Sequence, residues 1–236
     1  MNLSRDVTNK IHFVLDQLLP PIIRDSKLLC KFLIRLQFKN KTNVMMMFKQ
    51  KAPTIGHKEF IEIYKDTANV HPQRETDLNK KSEKLILDYI VDGNIVEVGC
   101  GRGYLSNILT KYGKLIATDM VISNKIKQKY KNITFQEANI ESLPFEDNCF
   151  NNVICTHTLE HVLNINKAIS ELRRVCKKRL IIVVPQQRPY KYTFDLHLHF
   201  FPYPHSLLTI MKSDKFKKQA CLVADGDLFY YEDKQS

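Results

Sequence analysis

Apolar and polar residues alternate in two different rhythms along this chain. Up to about residue 90 the rhythm is helical. In "TNKIHFVLDQLL", Ile11, Val14, Leu15 and Leu18 fall at helical spacing before Pro20-Pro21 stops the run. In "RDSKLLCKFLIRLQFK", Leu28, Leu29, Phe32, Leu33 and Leu36 gather on one side and Lys27, Lys31 and Arg35 on another. That is a basic amphipathic helix, suited to pack as a lid or to meet a membrane surface or partner. "NKTNVMMMFKQKAPTIGHKEF" reads as a loop entering a short helix near Phe60 to Tyr64, and "RETDLNKKSEKLILDYI" as a capped helix leading into the first strand.

From Asn94 the pattern changes to strand and helix in alternation. Strands are predicted at 94–98, 114–118, 132–136, 150–155 and 179–184, with helices at about 103–112, 122–130 and 161–176. Such alternation builds right-handed βαβ units and a doubly wound, mostly parallel sheet. After a further helix in "PHSLLTIMKSD", two strand-like runs flank Asp225-Gly226-Asp227, the signal of a closing antiparallel hairpin. The expected fold is a Rossmann-like α/β domain with a seven-stranded sheet over residues 74–236, preceded by a helical extension or lid over residues 1–73.

Length and composition agree with a folded α/β chain: 236 residues, 44% hydrophobic and 26% charged. The net charge of +11 is uneven. Residues 1–84 carry 16 Lys/Arg against 9 Asp/Glu, and the rest carry 20 against 16. A basic N-terminal third favours acidic partners such as nucleic acid, anionic lipid or phosphorylated substrate. The six cysteines form no CxxC pair, no apolar run approaches the roughly 18 residues of a membrane span, and no signal-peptide core follows the first residues. These features point to reduced thiols and a cytoplasmic protein.

The chemistry concentrates in "NIVEVGCGRGYLSNIL", residues 94–109. A strand ends at Glu97-Val98, and the loop Gly99-Cys100-Gly101-Arg102-Gly103 opens a helix. Glycines allow close approach of the backbone to a ligand, and a helix start adds unpaired amides. A phosphate loop needs GxxxxGK[ST], which is absent; a dinucleotide fingerprint is GxGxxG, whereas the third glycine here comes one residue early. Glu97 would repel a pyrophosphate and suits an ammonium or sulfonium. Asp119, ending the second strand in "IATDM", is placed to accept both hydroxyls of a ribose.

Together "VEVGCGRGYL", "IATDM", "EANIESLPFEDNCFNNVICTHTLEHV" and "ELRRVCKKRLIIVVP" resemble the successive motifs of class I S-adenosylmethionine-dependent methyltransferases, most of all the type 11 group that includes quinone-biosynthesis enzymes. The resemblance covers about residues 74–232. It implies S-adenosyl-L-methionine as cofactor, with Gly99, Cys100, Gly101 and Gly103 along its methionine part and Glu97 near its amino group. It also implies Asp119 on the ribose, Met120 against adenine, Asn139 and Ile140 at the adenine edge and face, and Thr156 and His157 bordering the cofactor. Two positions depart from the group: Asn139 replaces the usual Asp, and Phe150-Asn151 replaces the usual Phe-Asp. An Asn amide oxygen still accepts from an adenine amino group.

A hydroxyl acceptor needs a base titrating near neutrality, and histidine is the usual choice. His157 and His161 follow the fourth strand in "CTHTLEHV". The stretch "PQQRPYKYTFDLHLHFFPYPHS", residues 185–206, is aromatic and histidine-rich, directly after the fifth strand. Asp195, His197 and His199 alternate and share one face if the chain is extended. His199 is the first candidate for base, with His197, His157 and the orienting Asp195 completing the catalytic set. HxH is also a metal-ligand spacing, but no further ligand cluster accompanies it and no metal is expected. Tyr190, Tyr192, Phe194, Phe200, Phe201 and Tyr203 offer an acceptor wall or simply core.

Three functions remain in play: methyl transfer to a small-molecule or a lipid- or saccharide-linked hydroxyl, methylation of RNA through the basic N-terminal region, and a non-enzymatic partner or membrane-surface role. The RNA reading lacks an N/D-P-P-Y/F motif where the chain reads "CTHT".

Overall fold

A computed structural model describes residues 14, 18–68, 75–192, 194–214 and 216–234. The predicted first helix, over residues 8–19, lies largely outside them. The chain forms two compact units: Met1–Arg74 with Gln187–Phe200, and Glu75–Gln186 with Phe201–Ser236.

Unit 2 holds the sheet. Its strands are β1 (Ile95–Val98), β2 (Leu115–Asp119), β3 (Thr134–Glu137), β4 (Phe150–Thr156), β5 (Cys176–Pro185), β6 (Phe216–Ala224) and β7 (Asp227–Lys234), in the order β3-β2-β1-β4-β5-β7-β6. β1 to β5 pair in parallel, whereas β7 runs antiparallel to both β5 and β6. The hairpin turn is two residues long, with Asp225 at φ 47° and Gly226 at φ 87°, the left-handed pair that matches strand twist. Asp227 therefore begins β7 instead of belonging to the turn.

β1 is buried at all four positions, as a central parallel strand covered on both faces must be. One core gathers Val96, Val153, Ile182, Ile169 and Leu172. The other gathers Ile95, Ile154, Ile181, Ile86 and Leu109. The strands alternate between the two cores residue by residue, so each sheet face has its own helix layer.

Half-buried Arg173 donates to both oxygens of buried Glu232 at 2.7 Å, and Tyr230 of the first core donates to Glu232 at 2.6 Å. The Glu232 side chain is 0% exposed. Burial is the largest single influence on Arg173 and lowers its pKa, but the hydrogen bond and charge of Glu232 together with Tyr230 outweigh it and raise the pKa. The substitution Arg173→Met strands that carboxylate and should cost about 3 kcal/mol in urea unfolding.

Unit 1 contains α1 (Pro21–Arg24), α2 (Lys27–Phe38), α3 (Thr42–Lys51) and α4 (His57–Ala68). Unit 2 contributes α5 (Lys80–Tyr89), α6 (Tyr104–Leu109), α7 (Asn124–Lys129), α8 (Ile165–Val175) and α9 (Pro204–Ile210). One expectation for unit 1 needs correction. The stretch read as a loop forms α3, whose buried Thr42, Met45, Met46 and Phe48 make a helical stripe that the run of three methionines hides. In α2 the buried side chains are Cys30, Ile34 and Phe38; of the leucine-rich side, Leu29 and Leu33 are half-buried and Leu28, Phe32 and Leu36 exposed.

Candidate functional site

The glycine loop sits at the carboxyl end of β1, where the strand order reverses between β1 and β4, the place such sheets bind ligands. Gly99 and Cys100 both donate their amides to the Thr118 carbonyl, at 2.8 and 2.9 Å, tying the loop to β2. Gly99 has φ 81°, and a Cβ on it would lie 1.9 Å from the Thr158 Oγ1. Gly101 has φ 51° and open space where a Cβ would point. One glycine is needed for close packing and the other leaves the loop's mouth open.

Glu97 is 2% exposed and accepts a hydrogen bond from the Ser106 hydroxyl of α6. Burial pushes its pKa up to about 8; the Ser106 bond counteracts this and the nearby Asp119 adds to it. A buried carboxylate held that high is a place where a cation lowers the free energy. Asp119 accepts from the Gly101 amide at 2.8 Å and the Val121 amide at 3.4 Å. Burial raises its pKa against the pull of those amides, and Glu137 adds to the rise. The carboxylate thus links the glycine loop to the end of β2.

Cys100 is buried at the loop, and burial, then Glu97 and Asp119, push its thiol up, so it is a packed group and no nucleophile. Met120 is half-buried. The Asn139 Oδ1 accepts from the Glu141 amide at 2.9 Å, and a carbonyl oxygen keeps a second lone pair for another donor. Ile140 packs in the first core cluster. Thr156 ends β4, and its carbonyl accepts from the Thr158 hydroxyl at 2.9 Å.

His157 stands next in the chain, with φ 48°, between two buried carboxylates. Its Nδ1 lies 3.5 Å from Glu160 and its Nε2 lies 3.5 Å from Asp227. Burial lowers its pKa, but Asp227 and then Glu160 outweigh burial and push it up to about 10. His157 is therefore an imidazolium at neutral pH, which stabilises buried charge and has no lone pair to accept a proton. Asp227 is anchored from the other side by Asn79 at 2.8 Å and Ser82 at 2.9 Å.

This geometry fixes a sign. A group whose pKa is higher folded than unfolded contributes fully below its unfolded value, near 6.5, and loses that contribution as pH rises to about 10. Wild-type stability in urea should therefore exceed that of the His157→Gln variant by about 2 kcal/mol at pH 6.5, with the gap closing toward pH 10.

Asp195, His197 and His199 lie in the segment Gln187–Phe200, which belongs to unit 1. The segment is not an extended strand: Leu196 has φ 42°, so the alternation that would align all three is broken. The carboxylate–imidazole pair forms at His197, whose Nδ1 lies 3.4 Å from Asp195 and 2.6 Å from the Gln187 Oε1. The Gln187 amide nitrogen donates to the Tyr190 hydroxyl at 3.2 Å and to Asp195 at 3.5 Å. Those donations orient the amide so that its oxygen faces Nδ1 of His197 as an acceptor.

Tyr190, Tyr192 and Phe201 are buried and build core; Phe194 and Phe200 are half-buried and Tyr203 is exposed. Lys49 of α3 reaches the same segment, donating to the Tyr190 carbonyl at 2.5 Å with its ammonium 4.2 Å from the Phe200 ring centre. Burial lowers its pKa to about 8, while Asp195 and Asp25 oppose the fall. Ser106, Asp227 and Gln187 carry no motif signal: each earns its place only through contacts made by folding.

A seven-stranded, mostly parallel sheet with a terminal antiparallel hairpin, a glycine loop after β1 and a carboxylate after β2 define a class I S-adenosylmethionine-dependent methyltransferase domain. Residues 96–184 match the type 11 family model, described as a methyltransferase domain. Over 102 residues it is 34% identical to a ubiquinone/menaquinone biosynthesis C-methyltransferase of Rickettsia prowazekii, covering 37% of this chain and 41% of that protein. Over 91 residues it is 32% identical to a ubiquinone biosynthesis O-methyltransferase of Coxiella burnetii, covering 36% and 39%. The chain thus spans about two fifths of the curated relatives it matches. A Burkholderia thailandensis 1,6-didemethyltoxoflavin-N1-methyltransferase, solved with S-adenosylhomocysteine, shares the fold at TM-score 0.58 and 16% identity, covering 76% of this chain and 87% of that one. No described helix is long and apolar enough to cross a membrane.

Proposed function

We propose that this chain is a methyltransferase that moves the methyl group of S-adenosylmethionine to a hydroxyl on a small-molecule or a lipid- or saccharide-linked acceptor. The observation that carries the reading is Glu97: a buried carboxylate raised to about 8 at the floor of a glycine loop, with Asp119 bound to the loop's own amide. The donor set fits the cofactor. Glu97 offers charge to a cation, the open side of Gly101 admits a ligand against the backbone, and Asp119 presents carboxylate oxygens for ribose hydroxyls.

When bound, the cofactor supplies a methyl group already activated by a sulfonium leaving group. The protein's tasks are then to align the acceptor, exclude water and take a proton. The base in this reading is His197, whose Nδ1 lies 3.4 Å from Asp195 and 2.6 Å from the Gln187 Oε1. His157, charged between Glu160 and Asp227, holds the end of β4 in place. The similarity to a quinone O-methyltransferase supports a hydroxyl acceptor.

The test is calorimetric titration with S-adenosylmethionine between pH 6 and 7.5. A cationic ligand selects ionised Glu97, so binding releases a proton and affinity rises with pH, by about tenfold or more over that range. Glu97→Gln should flatten the dependence. A folded protein that binds no cofactor would sink the reading.

A further inference from the structure

We infer that helix α2 is a docking face for an anionic lipid surface, a role that goes beyond methyl transfer and does not depend on it. Leu28, Phe32 and Leu36 are 83%, 60% and 65% exposed, and their spacing of four places them in one stripe along the helix. Ile22 of α1 is 84% exposed just before it. Single exposed apolar residues are ordinary, whereas an aligned run marks a contact surface. The helix meanwhile buries Cys30, Ile34 and Phe38 on its other side, so it is fully folded and still leaves this stripe outward.

Charge identifies the occupant. Lys31, Arg35 and Lys39 join Asn40, Thr42 and Asn43 around a hollow of about 430 Å³ beside the stripe. Residues 26–58 contain eight Lys/Arg and no Asp/Glu. A helix with leucine and phenylalanine flanked by lysine and arginine matches the boundary layer of a bilayer, where apolar side chains enter the acyl region and cations meet headgroup phosphates. A second copy of the chain would bring like charge against like. A nucleic acid would satisfy the cations and leave the leucines against phosphate.

The experiment is sedimentation of the full chain with two kinds of vesicle, pure phosphatidylcholine and phosphatidylcholine with about one third phosphatidylglycerol, at about 0.15 M salt. The expected result is binding to the anionic vesicles and at least tenfold weaker binding to the neutral ones. Phe32→Ser with Leu36→Ser should weaken anionic binding about tenfold or more, and Lys31→Glu with Arg35→Glu by roughly fivefold per lost cation or more. A charge-matched control, Lys125→Glu with Lys127→Glu on α7, should change it less than twofold. All these side chains are exposed, and an unchanged thermal melt verifies that each variant folds.

Absence of binding to anionic vesicles would overturn the inference. So would equal losses in the α2 and α7 variants, self-association in centrifugation that the α2 substitutions abolish, or retention of RNA at that salt without vesicle binding.

Discussion

Replacing Asp119 with alanine should raise the dissociation constant for S-adenosylmethionine by two to four orders of magnitude. The proposed role of this carboxylate is to accept two ribose hydroxyls, and hydrogen bonds to a charged group contribute about 1.5–3 kcal/mol each. Asp119 also accepts from the Gly101 amide, so its removal loosens the loop that holds the other half of the ligand. Asp119→Asn keeps an acceptor oxygen while losing the charge, and should fall between wild type and alanine. Isothermal titration at fixed pH measures the series. An alanine variant that binds like wild type would remove Asp119 from the site.

His197→Asn should lower kcat by about 10² to 10⁴-fold, the usual contribution of a positioned base, with little change in cofactor affinity. Gln187→Leu leaves the imidazole in place but removes the oxygen that faces its Nδ1. It should reduce kcat by less than the histidine substitution. If His197→Asn retains full kcat while His199→Asn does not, the base is His199 and the pairing with Asp195 is structural.

The sheet was legible because its strands are nearly continuous apolar runs: "NIVEV" and "RLIIVV" have no other home than the centre of a parallel sheet. The cofactor loop was legible for a different reason. Its chemistry requires residue types at fixed short spacings, and Glu97, Gly99 and Asp119 stand within 23 residues of one another. Asn79, which caps α5 by accepting from the Ser82 amide at 2.8 Å, likewise follows a local rule.

What escaped the sequence depends on contacts between distant residues or on which side of a helix finds a partner. Helix α2 shows a leucine-rich side suited equally to a lid contact or to an outer surface, while Ile34 and Phe38 are the buried side chains. No local rule states which of two apolar stripes meets a neighbour. Three consecutive methionines at 45–47 blur the helical period of α3, although only Met47 faces outward. The role of His157 follows from Asp227, 70 residues later in the chain, and no motif joins them. Leu196 at φ 42° turns an apparent alternation into a bend, which is why Asp195 meets His197.

Titration of the full, folded wild-type chain with S-adenosylmethionine tests whether the glycine loop, Glu97 and Asp119 hold that cofactor. The expected result is saturable binding of one cofactor per chain, tighter at pH 7.5 than at pH 6 and weakened at least a hundredfold by Asp119→Ala. No binding by a protein that melts cooperatively, or binding indifferent to both Glu97 and Asp119, would contradict it.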